Sequence, residues 1–172
     1  MQRYIGTKII NAKPMNRADY STFRGWQLPT DGNGADEGYM VEYTDGGKPN
    51  VEGFAGYVSW SPKEQFEKAY VATENMNFGL ALEAMQQGKK VARAGWNGKG
   101  MFLYHVPANS YPAQTELAKG YWGDKCAQSV NGEPTIMVPY GAYIAIKTAQ
   151  ENVLPWLASQ ADMLATDWVV VE

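Results

Sequence analysis

Apolar and polar positions along the 172-residue chain alternate in short runs separated by turn residues, a pattern that predicts brief strands and few helices. Lys8 to Lys13 alternates as a strand, which Pro14 is expected to end. Arg17 to Phe23 predicts a short helical turn before Gly25-Trp26. Gly38 to Tyr43 and Gly56 to Trp60 read as a hairpin whose long tip is the turn-rich segment Thr44 to Asn50. Ser61-Pro62-Lys63-Glu64 then specifies a helix over 62–70, with Ser61 as N-cap, Pro62 at the first helical position and Glu64 reaching back to the cap amide. Phe66 and Tyr70, four apart, are expected to lie over the hairpin, and Tyr39, Tyr43, Tyr57 and Trp60 to form its core.

After the polar stretch Thr73 to Asn77 a new pattern begins. Asn77 can cap a helix with an apolar stripe of Phe78, Leu82 and Met85, and Gly88 can end it in the left-handed conformation. Lys90 to Arg93 is a short strand, and the tight loop Gly95-Trp96-Asn97-Gly98-Lys99-Gly100 feeds a second one, Met101 to Val106. Residues 107–134, with Pro107, Pro112 and Pro134 and little periodicity, read as a long loop or flap. Strand Ala142 to Lys147, a turn at Gln150 to Asn152, the segment Val153 to Leu164 and a closing strand Asp167 to Val171 complete the chain, with Trp168 assigned to the core. The fold class expected is α+β in two small modules, 1–75 and 76–172, each a short antiparallel sheet with one main helix. A single interleaved domain is the alternative.

Charge and composition narrow the chemistry. Fifteen Lys plus Arg against 18 Asp plus Glu leave a net charge of −3, without the basic footprint of a nucleic-acid binder. No apolar run reaches the ~20 residues that span a bilayer, and the start of the chain lacks a basic-then-apolar signal pattern, so a cytoplasmic protein is expected. One Cys126 and one His105 cannot form an internal disulfide or by themselves a zinc site, and any histidine-based nucleophilic mechanism would have to use His105. Tryptophan (6), tyrosine (11) and glycine (18) are plentiful, which suits ring-packed cores or surfaces that stack flat ligands.

Two segments could carry binding. In the Gly95–Gly100 loop, glycine amides, Lys99 and Asn97, with Arg93 beside them, could hold a phosphate while Trp96 offers a ring face; Tyr104 on the following strand is grouped with them. The bland reading is a hairpin turn with Trp96 packed inward. In Pro155-Trp156-Leu-Ala-Ser159-Gln-Ala-Asp162-Met163, a helical turn would bring Ser159 and Asp162 together between the apolar Trp156 and Met163, and Asp162 suits ribose hydroxyls. Its bland reading is a capping carboxylate. Glu83 and Asp167 are read as solvated or capping. No carboxylate pair demands acid-base chemistry, and no cofactor or metal is expected.

Met76-Asn-Phe-Gly-Leu-Ala-Leu-Glu-Ala-Met, Lys90-Val-Ala-Arg-Ala-Gly-Trp-Asn-Gly-Lys-Gly-Met-Phe-Leu, Ile146-Lys-Thr-Ala and Pro155-Trp-Leu-Ala-Ser-Gln-Ala-Asp-Met-Leu-Ala-Thr-Asp-Trp, in that order, resemble the second type of phage anti-Thoeris inhibitor over nearly all of 76–172. The resemblance implies a non-enzymatic sponge that sequesters a cyclic nucleotide immune signal. The signal would be a cyclic ADP-ribose isomer made by TIR enzymes, and in some members also CBASS cyclic dinucleotides. It further implies a homotetramer with pockets between subunits, working in the cytoplasm of an infected host. Trp96, Asn97, Lys99, Pro155, Trp156, Ser159 and Asp162 carry over as pocket residues. Residues 1–75 resemble another small phage module through Tyr4-Ile-Gly-Thr-Lys, Arg24-Gly-Trp, Gly38-Tyr-Met-Val-Glu-Tyr and Ser59-Trp-Ser-Pro-Lys-Glu, with no activity implied. A signal-degrading phosphodiesterase or glycohydrolase, and a phage structural or accessory module, are the competing functions.

Overall fold

The computed structural model describes residues 2, 3 and 6–172; Tyr4 and Ile5 of the first quoted motif lie outside the described residues. The chain divides into two compact units, 1–75 and 76–172, both mixed α and β.

The first unit contains β1 (Asn11–Pro14), α1 (Arg17–Phe23), β2 (Gly38–Tyr43), β3 (Tyr57–Pro62) and α2 (Lys63–Ala69), with an antiparallel sheet in the order β1-β2-β3. The strand ends at Pro14 as expected but begins only at Asn11, and Pro14 is itself paired with Tyr39, which is tolerated because β1 is an edge. Asn16 caps α1 by accepting a 2.8 Å hydrogen bond from the Asp19 amide, and the helix drives Tyr20 into a core with Met40 and Val58. That core differs from the expected one. Tyr57 is 47% exposed, whereas Tyr39, Tyr43 and Trp60 are only half-buried, because the hairpin's fully buried positions are the aliphatic Val41 and Val58.

The expected Ser61 cap does not form either. Ser61 and Pro62 remain in the β3 ladder opposite Tyr39 and Gly38, the Lys63 amide donates to the Glu37 carbonyl at 3.0 Å, and Glu64 pairs with Lys68 instead of reaching back. Phe66 does lie on the hairpin, stacked on Tyr39 at 4.0 Å and 17°. At the hairpin's far end Gly56 is packed so closely that a Cβ would sit 1.8 Å from the Tyr43 carbonyl oxygen. Gly56→Ala is therefore expected to cost about 1–2 kcal/mol through forced backbone displacement. Amide exchange should accelerate in β2 and β3; unchanged protection there would contradict this account.

The second unit contains α3 (Phe78–Gln86), β4 (Lys90–Arg93), β5 (Phe102–Val106), β6 (Asn109–Pro112), α4 (Glu116–Cys126), β7 (Ala127–Val130), β8 (Glu133–Tyr140), β9 (Tyr143–Lys147), β10 (Val153–Pro155), α5 (Gln160–Met163) and β11 (Trp168–Val171). Five strands form an antiparallel sheet in the order β10-β9-β5-β4-β11. The Asn77 side chain caps α3 through the Leu80 amide, and Gly88 follows the helix at φ +82°. The helix packs on β4, β5 and β11, burying Ala81, Ala84 and Met85, while the core of the sheet holds Val91, Leu103 and Trp168. Leu82 of the expected stripe is only half-buried. The outer side of β11 is joined by Met76, whose amide donates to the Trp168 carbonyl at 2.8 Å and whose carbonyl accepts from the Trp168 amide at 3.1 Å.

Residues 107–134 are not a flap without structure. They supply β6, α4, β7 and the start of β8, which form a second antiparallel sheet, β6-β8-β7, carrying α4. Asn131 (φ 52°) and Gly132 (φ 85°) make the hairpin turn between β7 and β8, and Thr115 caps α4 through the Ala118 amide. The segment shows no hydrophobic period because it has almost no inside. Every residue of β7 is exposed, and of the whole second sheet only Val138 is buried.

Candidate functional site

Arg93, the last residue of β4, faces a part of the chain more than sixty residues later. Its Nε donates to Asp167 at 2.5 Å and one terminal nitrogen donates to Asp162 at 3.1 Å and to the Ala161 carbonyl at 3.4 Å. The pairing of β4 with β11, Arg93 opposite Trp168, brings these groups together. Asp162 also closes a capping box on α5. It accepts from the Ser159 hydroxyl at 2.6 Å and the Ser159 amide at 3.2 Å, and its own amide donates to the Ser159 oxygen at 3.1 Å. The other oxygen of Asp167 accepts the Gly95 amide at 3.1 Å, tying down the start of the glycine-rich loop.

This network sets its own ionisation. Burial alone pushes the Asp162 carboxyl up, but the Ser159 hydroxyl and amide, followed by Arg93, more than offset it, leaving its pKa below the ordinary carboxylate value. Asp167 is lowered chiefly by its bond to Arg93, and Arg93 is raised chiefly by the same bond. Asp167, read from sequence as solvated or capping, is thus both an ion-pair partner and a loop cap. Its signal was present in sequence only as an acid next to the closing strand.

Above the network lies an aromatic cluster. Trp168 is fully buried and donates its indole N–H to the Asp162 carbonyl at 3.0 Å. Trp96 and Trp156, both half-buried, meet it edge-on, with ring centroids 5.7 and 6.1 Å away, and Phe78 touches both Trp156 and Trp168. The two segments read from sequence as separate candidates are therefore adjacent. Trp96 from the loop and Trp156 from the later motif flank a shared partner.

Most of the remaining candidates lie at the surface. Asn97, Lys99, Pro155 and Ser159 are exposed, and Met163 is 46% exposed beside Leu157 and Leu164, which are 90% and 81% exposed. Tyr104 is not part of the tryptophan cluster. It alternates with the buried Leu103 on β5 and lines a separate depression with Phe102, His105, Lys89, Lys90 and Lys147. The last five were not singled out from sequence as binding residues; the Lys89-Lys90 doublet after Gly88 was their visible signal. Among the described residues no group of three or more His, Cys, Asp or Glu is placed to hold a metal ion, and no helix is long and apolar enough to cross a membrane.

The second unit is thus a small α+β module that presents ring faces and loop amides on a frame locked by its own charged groups. Residues 76–171 match the family described as the Thoeris anti-defense 2-like domain, and the chain belongs to that family. A curated relative, named Thoeris anti-defense 2, from Bacillus phage SP01, is 38% identical over 96 residues, which cover 56% of this chain and 94% of the relative.

Proposed function

We propose that this protein counters Thoeris defence during phage infection by capturing the cyclic nucleotide signal and holding it intact. What supports this reading is that the matched unit contains the Trp96–Trp168–Trp156 cluster with the glycine-rich loop and the α5 N-terminus at its edges. Ring faces suit the purine, loop amides and Lys99 suit the pyrophosphate, and Ser159 and Asn97 suit ribose hydroxyls. Arg93 and Asp162 are assigned to fixing this surface, with Asp162 keeping lone pairs that can accept from a ribose. The signal is a cyclic ADP-ribose isomer from a TIR enzyme, with CBASS cyclic dinucleotides as a second ligand class. The protein assembles as a homotetramer in which a neighbouring copy closes the pocket, and it works in the cytoplasm of the infected host. Residues 1–75 form an accessory module of separate role.

The experiment is release after capture. Signal from a TIR enzyme incubated with the full chain should vanish from the filtrate and return with unchanged mass after heat denaturation. Trp96→Ala should lose at least ten-fold in affinity while keeping its amide spectrum. Recovery of a cleaved product would replace capture by degradation. Absence of any ligand-dependent rise in unfolding temperature would favour an accessory interaction module.

A further inference from the structure

The Arg24-Gly25-Trp26 motif closes α1 in the first unit, and signal capture makes no use of it. Gly25, at φ +67°, ends the helix in the left-handed conformation. Its amide donates to the Thr22 carbonyl at 3.0 Å, and the Trp26 amide reaches back to the Ser21 carbonyl at 2.8 Å. This reversal sets the Trp26 ring edge-on to the buried Tyr20, at 6.1 Å and 82°, and leaves it 56% exposed. The Arg24 guanidinium lies 4.3 Å from the Trp26 ring centroid. One of its terminal nitrogens donates to the Tyr20 hydroxyl at 3.0 Å and to the Val58 carbonyl at 3.3 Å, which fixes the group in place. Among the described residues Arg17 and Arg93 pair with carboxylates, whereas Arg24 pairs with none and its Nε and other terminal nitrogen donate to nothing. Phe23, also exposed, meets Phe54 edge-on at 5.8 Å and enlarges the ring surface.

We infer that Phe23, Arg24 and Trp26 form a docking site for another protein, one that offers a carboxylate beside an apolar side chain. The unused edge of the guanidinium matches the two oxygens of a carboxylate, and that carboxylate supplies the counter-charge that Arg24 lacks within its own chain. The exposed rings take the apolar neighbour. Trp, Tyr and Arg are the residue types that dominate binding at protein interfaces. Here Tyr20 and Arg24 are held by hydrogen bonds and Trp26 is stacked on them, so little side-chain freedom remains to be lost on contact. A nucleic acid fits less well, because the first unit carries eight basic residues against ten acidic ones and lacks the cationic excess that follows a phosphate backbone. None of these residues lies in the second unit, so the site stands whether or not signal capture does.

A displayed library of random dodecapeptides, panned against the full chain, supplies the probe. Enriched sequences should share an Asp or Glu next to an aromatic or aliphatic residue. The tightest of them, made as a synthetic peptide, should shift the Trp26 indole resonance to saturation. Trp26→Ala should weaken that peptide at least ten-fold while the amide spectrum of β2 and β3 is kept. Arg24→Gln should bind the peptide and its version with the acid amidated equally well, whereas the parent should prefer the acidic one. The inference is overturned if nothing is enriched, if the enriched sequences lack an acid, if Trp26 does not respond, or if Arg24→Gln keeps the preference for the acidic peptide. It is equally overturned if an oligothymidylate moves Trp26 where no peptide does, which gives the surface to nucleic acid. Self-association abolished by Trp26→Ala would overturn it in favour of a second copy of the chain.

Discussion

Trp168→Ala is expected to remove about 4 kcal/mol of stability from the second unit, enough to unfold much of a small α+β module at ambient temperature. The residue is fully buried and meets Phe78, Trp96 and Trp156 at once, so truncation leaves a large void bounded by three rings that the sheet cannot collapse to fill. Its indole N–H also satisfies the Asp162 carbonyl, which the substitution would leave without that donor. Trp168→Phe keeps most of the volume and should cost roughly half as much, the remainder reflecting the lost hydrogen bond and the smaller ring. Urea unfolding followed through β4 and β11 amide resonances in the full chain measures both; a Trp168→Ala loss below 1 kcal/mol would show that the cluster repacks.

Arg93→Ala should cost about 2–3 kcal/mol, at or below the lower end for breaking a buried pair, because the guanidinium and both carboxylates keep some contact with water. The loss has a pH signature. Asp162 and Asp167 have folded-state pKa values below the ordinary carboxylate value of 3.8, so their contribution is fully present above the unfolded pKa and disappears as pH falls through the lowered folded values. Parent and variant should therefore differ by a constant amount from pH 5 to 7, and the gap should shrink below about pH 4. A gap that stayed the same at pH 3 would mean that Arg93 stabilises through packing of its stem rather than through charge. The same network bears on tests of the proposed signal capture. Asp162 is committed to Ser159 and Arg93, so its replacement perturbs α5 and β4 together, whereas Trp96 sits at the edge of the cluster and is the cleaner probe.

Where local chemistry settled the outcome, the sequence was readable. Asn77, Gly88 and the run Lys90–Arg93 determine their elements through capping, a left-handed φ and alternation, none of which needs a distant partner. Trp168 was legible as core because it sits in an apolar run. Ser61 failed as a cap because the β3 ladder and the Glu37 carbonyl took up the backbone groups that the cap would have served. The 107–134 segment failed for the opposite reason, since strands exposed on both faces carry no period to read. At the candidate site, the Trp96 and Trp156 motifs read as two separate segments, because their adjacency through Trp168 depends on the fold and on no local pattern. The commitment of Arg93 to Asp162 and Asp167 depends on a pairing more than seventy residues apart, which no local pattern encodes.

The Met76–Trp168 bridge gives the second unit a property best put in genetic terms. The strand that closes the sheet is bonded to the residue that opens the unit, so entry and exit of the unit lie side by side. A coding segment bounded at that point carries every strand pair and the whole aromatic cluster with it. Such a segment is expected to be transferable as a cassette, since sequence added ahead of Met76 need not break a single rung of the five-stranded sheet.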